Sequence, residues 1–184
     1  MAKSDFIQLR NVRVSFPHLF TRPIVQGEEG KCGATLLLDP KVAADQASID
    51  SIREAITEIS REQFKGKKLP DDKVCLRDGD QKGRDEYSGY WVMSANHRDR
   101  PMVIDSTGRG RITEESDSPI YAGCRVNARV RLWGQDNQYG KRVNAELVAI
   151  QFASDDDSLD GGHVSEAVAM EGFDPVESES LDFL

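Results

Sequence analysis

The sequence predicts a mainly β protein: a small closed or nearly closed β-barrel with one main α-helix, followed by a flexible acidic tail. Three observations carry this expectation. Gly123 to Phe152 reads as two long strands joined by a polar, glycine-punctuated loop. Elsewhere, short β-leaning runs alternate with long polar loops, and only one segment has helical periodicity. From Ser154 onward the composition changes abruptly.

Residues 6–16 form the first expected strand, with Val12, Val14 and Phe16 on one face and Arg13 and Ser15 on the other. Pro17 ends it, because proline cannot donate to a ladder. Gly27 to Gly30 is a turn, and Gly33 to Leu38 a short strand stopped by Asp39-Pro40. Lys41 to Phe64 is the helix. Its stripe of Ile49, Ile52, Ile56 and Ile59 faces a core. Asp39 serves as its cap, Pro40 as its first residue and Gly66 as its end. Lys65 to Asp72 is a loop, Val74 to Leu76 a short strand, and Arg77 to Glu86 an exposed polar loop. Tyr87 to Ala95 is a strand on which Trp91 and Met93 share one face and Tyr90 and Val92 the other, with Tyr90 expected outward. Pro101 to Asp105 is another short strand, and Thr107 to Arg111 a Gly-Arg-Gly-Arg turn.

In the first strand of the long hairpin, Cys124, Val126, Ala128, Val130 and Leu132 alternate with Arg125, Asn127, Arg129, Arg131 and Trp133. One face is apolar and suits a core. The other carries three arginines and a tryptophan, which suit a phosphate backbone and a stacked base. Gly134 to Gly140 is the connecting loop. The last strand, Val143 to Phe152, changes the phase of its apolar residues and so predicts a bulge or burial on both faces.

The 184 residues carry a formal net charge of −8. That figure alone argues against a nucleic-acid binder, but the distribution of charge along the chain points the other way. Residues 154–184 hold ten acids and no Lys or Arg, which leaves 22 acids against all 24 bases in residues 1–153, a net charge of +2. We therefore expect a folded domain over 1–153 and a flexible acidic tail over 154–184. The tail ends on Leu181, Asp182, Phe183 and Leu184, preceded by Glu179. Apolar residues at an acidic tip read as a docking peptide, with an anchor for a partner's pocket and charge to steer it.

Cys32, Cys75 and Cys124 are odd in number and widely spaced, which argues against a disulfide framework or a structural zinc site. No apolar run reaches transmembrane length and no signal-peptide core is present, so the expected setting is cytoplasmic, without membrane contact. No cofactor motif appears. Asp71 with Asp80 and Lys82 loosely matches a metal-dependent nuclease pattern, but the groups lie in loop-like sequence. Asp78 to Gly83 begins like a calcium loop, then places Lys82 at position five and Gly89 at position twelve.

These residues together resemble a known family. The stretch Asn11 to Phe20 carries Asn-x-Arg-x-Ser-Phe-Pro-His-Leu-Phe. Further blocks are Arg77-Asp78-Gly79-Asp80, Tyr87-x-Gly89-Tyr90-Trp91, Arg100-Pro101 leading to Val103-Ile104-Asp105, and Ile120 to Ala128 with Ile150-Gln151-Phe152. The chain resembles the tailed-phage single-stranded DNA-binding proteins over about Asp5 to Ala153. That resemblance implies an OB-like barrel, no catalysis, and sequence-tolerant binding of single-stranded DNA during phage replication or recombination in the host cytoplasm. It also implies phage or host replication and recombination proteins as partners of the tail. On the residue reading, DNA tracks over Arg125, Arg129, Arg131 and Trp133. Tyr90, Trp91 or Tyr139 offer stacking surfaces, and Arg98, Arg100, Arg109, Arg111, Lys141 and Arg142 contact phosphates. The rival expectations are the nuclease and an acidic-tail interaction module without DNA binding.

Overall fold

The computed structural model describes residues 1–159 and 169–176. Ten strands are present: β1 (Lys3–His18), β2 (Ile24–Val25), β3 (Glu28–Glu29), β4 (Cys32–Leu38), β5 (Leu76–Asp78), β6 (Trp91–His97), β7 (Met102–Ile104), β8 (Arg111–Ile112), β9 (Arg125–Asn137) and β10 (Gly140–Ser154). One α-helix, α1 (Ala43–Gln63), lies between β4 and β5. Five strands close a barrel in the order β1-β4-β6-β10-β9 and back to β1. The β6–β10 pairing is parallel and the others are antiparallel. This is the closure expected of an OB-type barrel. β5 extends the sheet beside β6, and β7 with β8 extends it along the second half of β10.

Alternation builds the barrel. Val126, Ala128, Val130 and Leu132 of β9 are buried, while Arg125, Asn127, Arg131 and Trp133 between them are half-exposed and Arg129 exposed. β10 shifts register against β9 between Leu147 and Ala149, the bulge that the phase change in its sequence predicts. Ile49, Ile52 and Ile59 of α1 join Leu9, Val12, Val14, Leu36 and Leu132 in one core, so the helix closes the barrel interior. Its start departs from expectation. The Asp39 carboxylate accepts the Lys41 amide, and Asp45 reaches back to accept the Asp39 amide. These bonds hold residues 39–42 in a turn, and the helix begins at Ala43 without a side-chain cap. Gly66 does end it, its amide bonding Ser60 O at 3.0 Å.

β1 contains the largest departure. Alternation places Phe16 beside Val12 and Val14 in the core, yet it is 42% exposed. Its φ of 48° breaks the alternation at a register shift between Ser15 and His18 and turns the ring outward. A left-handed aromatic residue costs about 1–2 kcal/mol.

The segment expected as an exposed loop over Arg77 to Glu86 is folded into β5 and two short 3-10 turns, 79–81 and 85–87. Tyr87 belongs to the second turn, outside β6, and is buried with Leu37 and Val92 in a second cluster on the outer face of β4 and β6. Tyr90 packs against that cluster, so it is not the outward residue expected. β10 continues through Ser154, past the expected boundary at 153. Residues 155–159 are then hydrogen-bonded back to the barrel: Tyr121 donates to Asp155, and the Leu159 amide to Ala122 O at 3.0 Å. Gly123, at φ 108°, lies so close under Asp157 O that any side chain would collide with it. The tail tip, Glu179 with 181–184, lies outside the described residues. Cys32, Cys75 and Cys124 are free and buried, and burial pushes the Cys75 thiol up to about 12.

Candidate nucleic-acid interface

The outer faces of β6, β9 and β10 meet in a groove of about 1010 Å³. Lys3 enters from β1, Lys31 from the residue before β4, Lys73 from the 3-10 turn at 71–73 and Arg77 from β5. Ser94, Asn96 and His97 come from β6 with Arg98 just beyond, and Trp133, Gln135 and Asn137 from β9. Tyr139 stands at the β9–β10 turn, and Arg142, Asn144 and Glu146 complete the wall from β10. Six cationic residues thus surround one carboxylate, Glu146, which is already paired with Arg131 at 3.0 Å and lies 3.5 Å from His97. The local field is positive although the chain is acidic. Tyr139 is 76% exposed, and Trp133 is half-exposed on the floor.

The sequence-derived candidates separate into groups. Arg98, Trp133, Tyr139 and Arg142 line the groove. Arg131 borders it through Glu146, and Arg129 continues the same strand face, its guanidinium 4.6 Å from the Phe6 ring. Arg125 faces outward as expected but is committed: its Nε bonds Asp156 at 2.9 Å, and it donates to Asn11 O. Arg100 stacks on Phe20 and donates to Thr113 O. Lys141 lies 5.9 Å from the Phe64 ring at the helix end. Arg109 and Arg111 are exposed on the β7–β8 turn, which Asp105 shapes by accepting from Thr107 and Gly110. The Thr107 hydroxyl above all, with those amides, holds the Asp105 carboxyl below its ordinary range. Trp91 is half-buried against the core with Arg53 4.4 Å over its ring, away from the groove. Tyr90 and Trp91 therefore fall outside the groove, because both faces of β6 are covered at its start.

Lys3, Lys31, Lys73 and Arg77 are not legible as site residues in the sequence. They sit far apart along the chain, and only barrel closure converges them. The nuclease pattern does not assemble. Asp71 and Lys82 border a separate hollow of about 250 Å³, while the Asp80 carboxylate is spent on the Ser88 hydroxyl and the Gly89 amide. Among the described residues no group of three His, Cys, Asp or Glu is arranged to hold a metal. Among them, too, no helix is long and apolar enough to cross a membrane.

The second and third barrel strands are β4 and β6, and the groove opens on β6 between the β1–β4 connection and the β9–β10 turn. OB-type barrels receive oligonucleotides on the face of those two strands and the loops beside it. The groove shares β6 and both loops with that surface and extends from it over β9 and β10, the arrangement of a nucleic-acid-binding barrel. More particularly, the chain belongs to the family described as the Enterobacter phage Enc34 ssDNA-binding protein, whose model matches residues 6–184. The structure of the single-stranded DNA-binding protein from bacteriophage Enc34 in complex with ssDNA is similar, with a TM-score of 0.74 and 32% identity over 84% of this chain and 89% of that one. A putative protein p50 of Acyrthosiphon pisum secondary endosymbiont phage 1 is 35% identical, covering 95% of this chain and 97% of its own. The single-stranded DNA-binding protein gp2.5 of bacteriophage T7 shares the fold at a TM-score of 0.56 and 15% identity, covering 95% of this chain and all of that one.

Proposed function

We propose that this chain binds single-stranded DNA, without catalysis, in the groove floored by Trp133. The observation that carries the reading is the meeting of two exposed or half-exposed rings, Trp133 and Tyr139, with six cations. Stacking on rings holds bases of any sequence at about 1–3 kcal/mol per base. The cations Lys3, Lys31, Arg98 and Arg142 take the phosphates. Membership of a phage ssDNA-binding family supports the same ligand. The binding domain comprises the expected 1–153 together with the anchored residues to 159. Arg129 and Arg131 extend the path along β9, and Arg109 and Arg111 offer outlying phosphate contacts.

The acidic tail supplies a second layer of the proposal. It competes with DNA for the basic groove, and DNA binding frees its tip, Glu179 with Leu181 to Leu184, for phage or host replication and recombination proteins. The setting is the cytoplasm of the infected host.

Equilibrium binding to a fluorescent oligothymidine and to a duplex of equal length, over a salt series, tests the core reading. Expected are preference for the single strand, quenching of tryptophan fluorescence, and a loss of about 1–3 kcal/mol for Trp133→Ala. Arg142→Ala should flatten the slope of log affinity against log salt by about 0.7, the value of one phosphate contact on a single strand. Equal affinity of Trp133→Ala and the native chain would remove the stacking groove from the account.

A further inference from the structure

The block from Asn11 to Phe20 has no place in the groove, yet it holds an unusual piece of backbone. Among the described residues, four other than glycine have positive φ. Asn11 is a residue type that tolerates it, and Gln26 and Lys65 precede glycines in turns. Phe16, at φ 48°, is an aromatic residue inside a strand. The strain has one visible result: a ring that alternation would bury is 42% exposed. That ring lies 6.4 Å from His18 at an interplanar angle of 22°, and the Arg84 guanidinium stands over the ring, 4.6 Å from its centroid. Beside it the Tyr87 hydroxyl bonds the buried Ser15 hydroxyl at 3.2 Å, which pins the bulge from below. Strained conformations of this kind persist where surrounding packing enforces them and gather at ligand sites.

The position connects to the groove. His18 pairs with Gly33 on β4, and Gly33 with Asn96 on β6. Ser15 pairs with Thr35, and Thr35 with Ser94. Asn96 and Ser94 line the groove. Between the Phe16 ring and the groove the outer face of β4 carries Thr35, half-exposed, and Gly33, which is buried under the Asn96 side chain, so a DNA strand would cross on Thr35 and Asn96.

We infer that Phe16, backed by His18, is a second base-stacking platform for the same single strand, reached from the groove across β4, a base taking the place of the Arg84 guanidinium that now lies over the ring. Arg84, which also pairs with Glu86 at 3.3 Å, leaves the ring on displacement and meets the phosphate of the stacked base. The inference rests on the groove reading above.

The test compares Phe16→Gly, Phe16→Trp and Trp133→Ala with the native chain. Glycine adopts positive φ freely, so Phe16→Gly removes the ring and the strain together. Binding is measured on oligothymidines of about 4 to 16 nucleotides, the range of OB-fold site sizes. Phe16→Gly should melt at the native temperature or above, yet bind the longest oligomer roughly 5- to 150-fold more weakly, as about 1–3 kcal/mol of stacking implies. The shortest oligomer, held by the groove alone, should bind as before. Phe16→Trp should restore the affinity and add a fluorescence signal that long oligomers quench. Native affinity of Phe16→Gly at every length overturns the platform, and so does a lowered melting temperature with equal weakening at every length. If Trp133→Ala alone weakens binding, the groove stands and the platform falls. If neither variant weakens binding, the groove reading falls with it.

Discussion

The carboxylate of Asp156 sits between two guanidiniums, 2.9 Å from Arg125 Nε and 3.8 Å from Arg13 Nε. Burial alone would raise this carboxyl. The Asp157 amide, the Arg125 guanidinium and the charge of Arg13 outweigh burial and hold it below the ordinary range. A depressed native carboxyl contributes stability above its unfolded value, near pH 3.9, and loses it as pH falls through the native value. The anchoring of residues 155–159 should therefore persist from neutral pH to about pH 4 and release below it. Asp156→Asn should release it at neutral pH, at a cost of about 1 kcal/mol for a partly exposed pair. The expected readings are a melting temperature lower by about 2–4 °C and faster amide exchange at Leu159. Unchanged exchange at Leu159 would show that its amide bond and Tyr121 suffice. In sequence, Asp156 is one acid among many in the tail. Its partners lie on β1 and β9, and their proximity is invisible until the barrel closes.

Strands differ in how openly their residues declare a face. β9 obeys strict alternation, so its core face and its cationic face are both legible in sequence. β1 does not, because left-handed residues at Asn11 and Phe16 each interrupt it at a register shift, and at Phe16 the interruption reverses a side chain without any change of composition. β6 misleads in another way. Its first residues are covered on both faces, by the main core and by the 79–90 segment, so alternation cannot say whether Tyr90 or Trp91 faces solvent. The close pairing of β4 with β6 makes a separate demand on Gly33. A Cβ there would meet the Ala95 carbonyl and, at 2.7 Å, the Asn96 Cα. Backbone cannot step aside as a long side chain can. Gly33→Ala should destabilise the protein by about 1–3 kcal/mol, read as a lower denaturation midpoint with unchanged m-value. A midpoint within error of the native one would mean that the two strands can separate at no cost.

On the scale of the whole molecule, charge is segregated between a basic groove and an acidic terminus. Residues 160–184 carry seven acids and no Lys or Arg, so their removal changes the net charge from −8 to −1. If this segment competes with DNA, its deletion should tighten oligothymidine binding at low salt, with the gain shrinking as screening shortens the range of the field. Deletion from 160, unlike deletion from 154, leaves the Asp156 anchor in place and isolates the competing charge. Affinity that is unchanged or weaker at every salt concentration would end the competition model.

By itself the sequence determined a mainly β protein, one amphipathic helix, the cationic face of β9 that includes Trp133, and the segregation of acidic residues at the end of the chain from the bases before it. Each of these is written in near-neighbour periodicity or composition, which the chain carries before it folds. Tertiary structure alone decided which cations share a groove and which are spent on carboxylates and carbonyls. It also fixed where the helix starts, how far the chain stays anchored past Ser154, and which aromatic rings face solvent. Those outcomes depend on strands dozens of residues apart closing one barrel, and on the backbone conformation of single residues such as Phe16. Local pattern encodes neither.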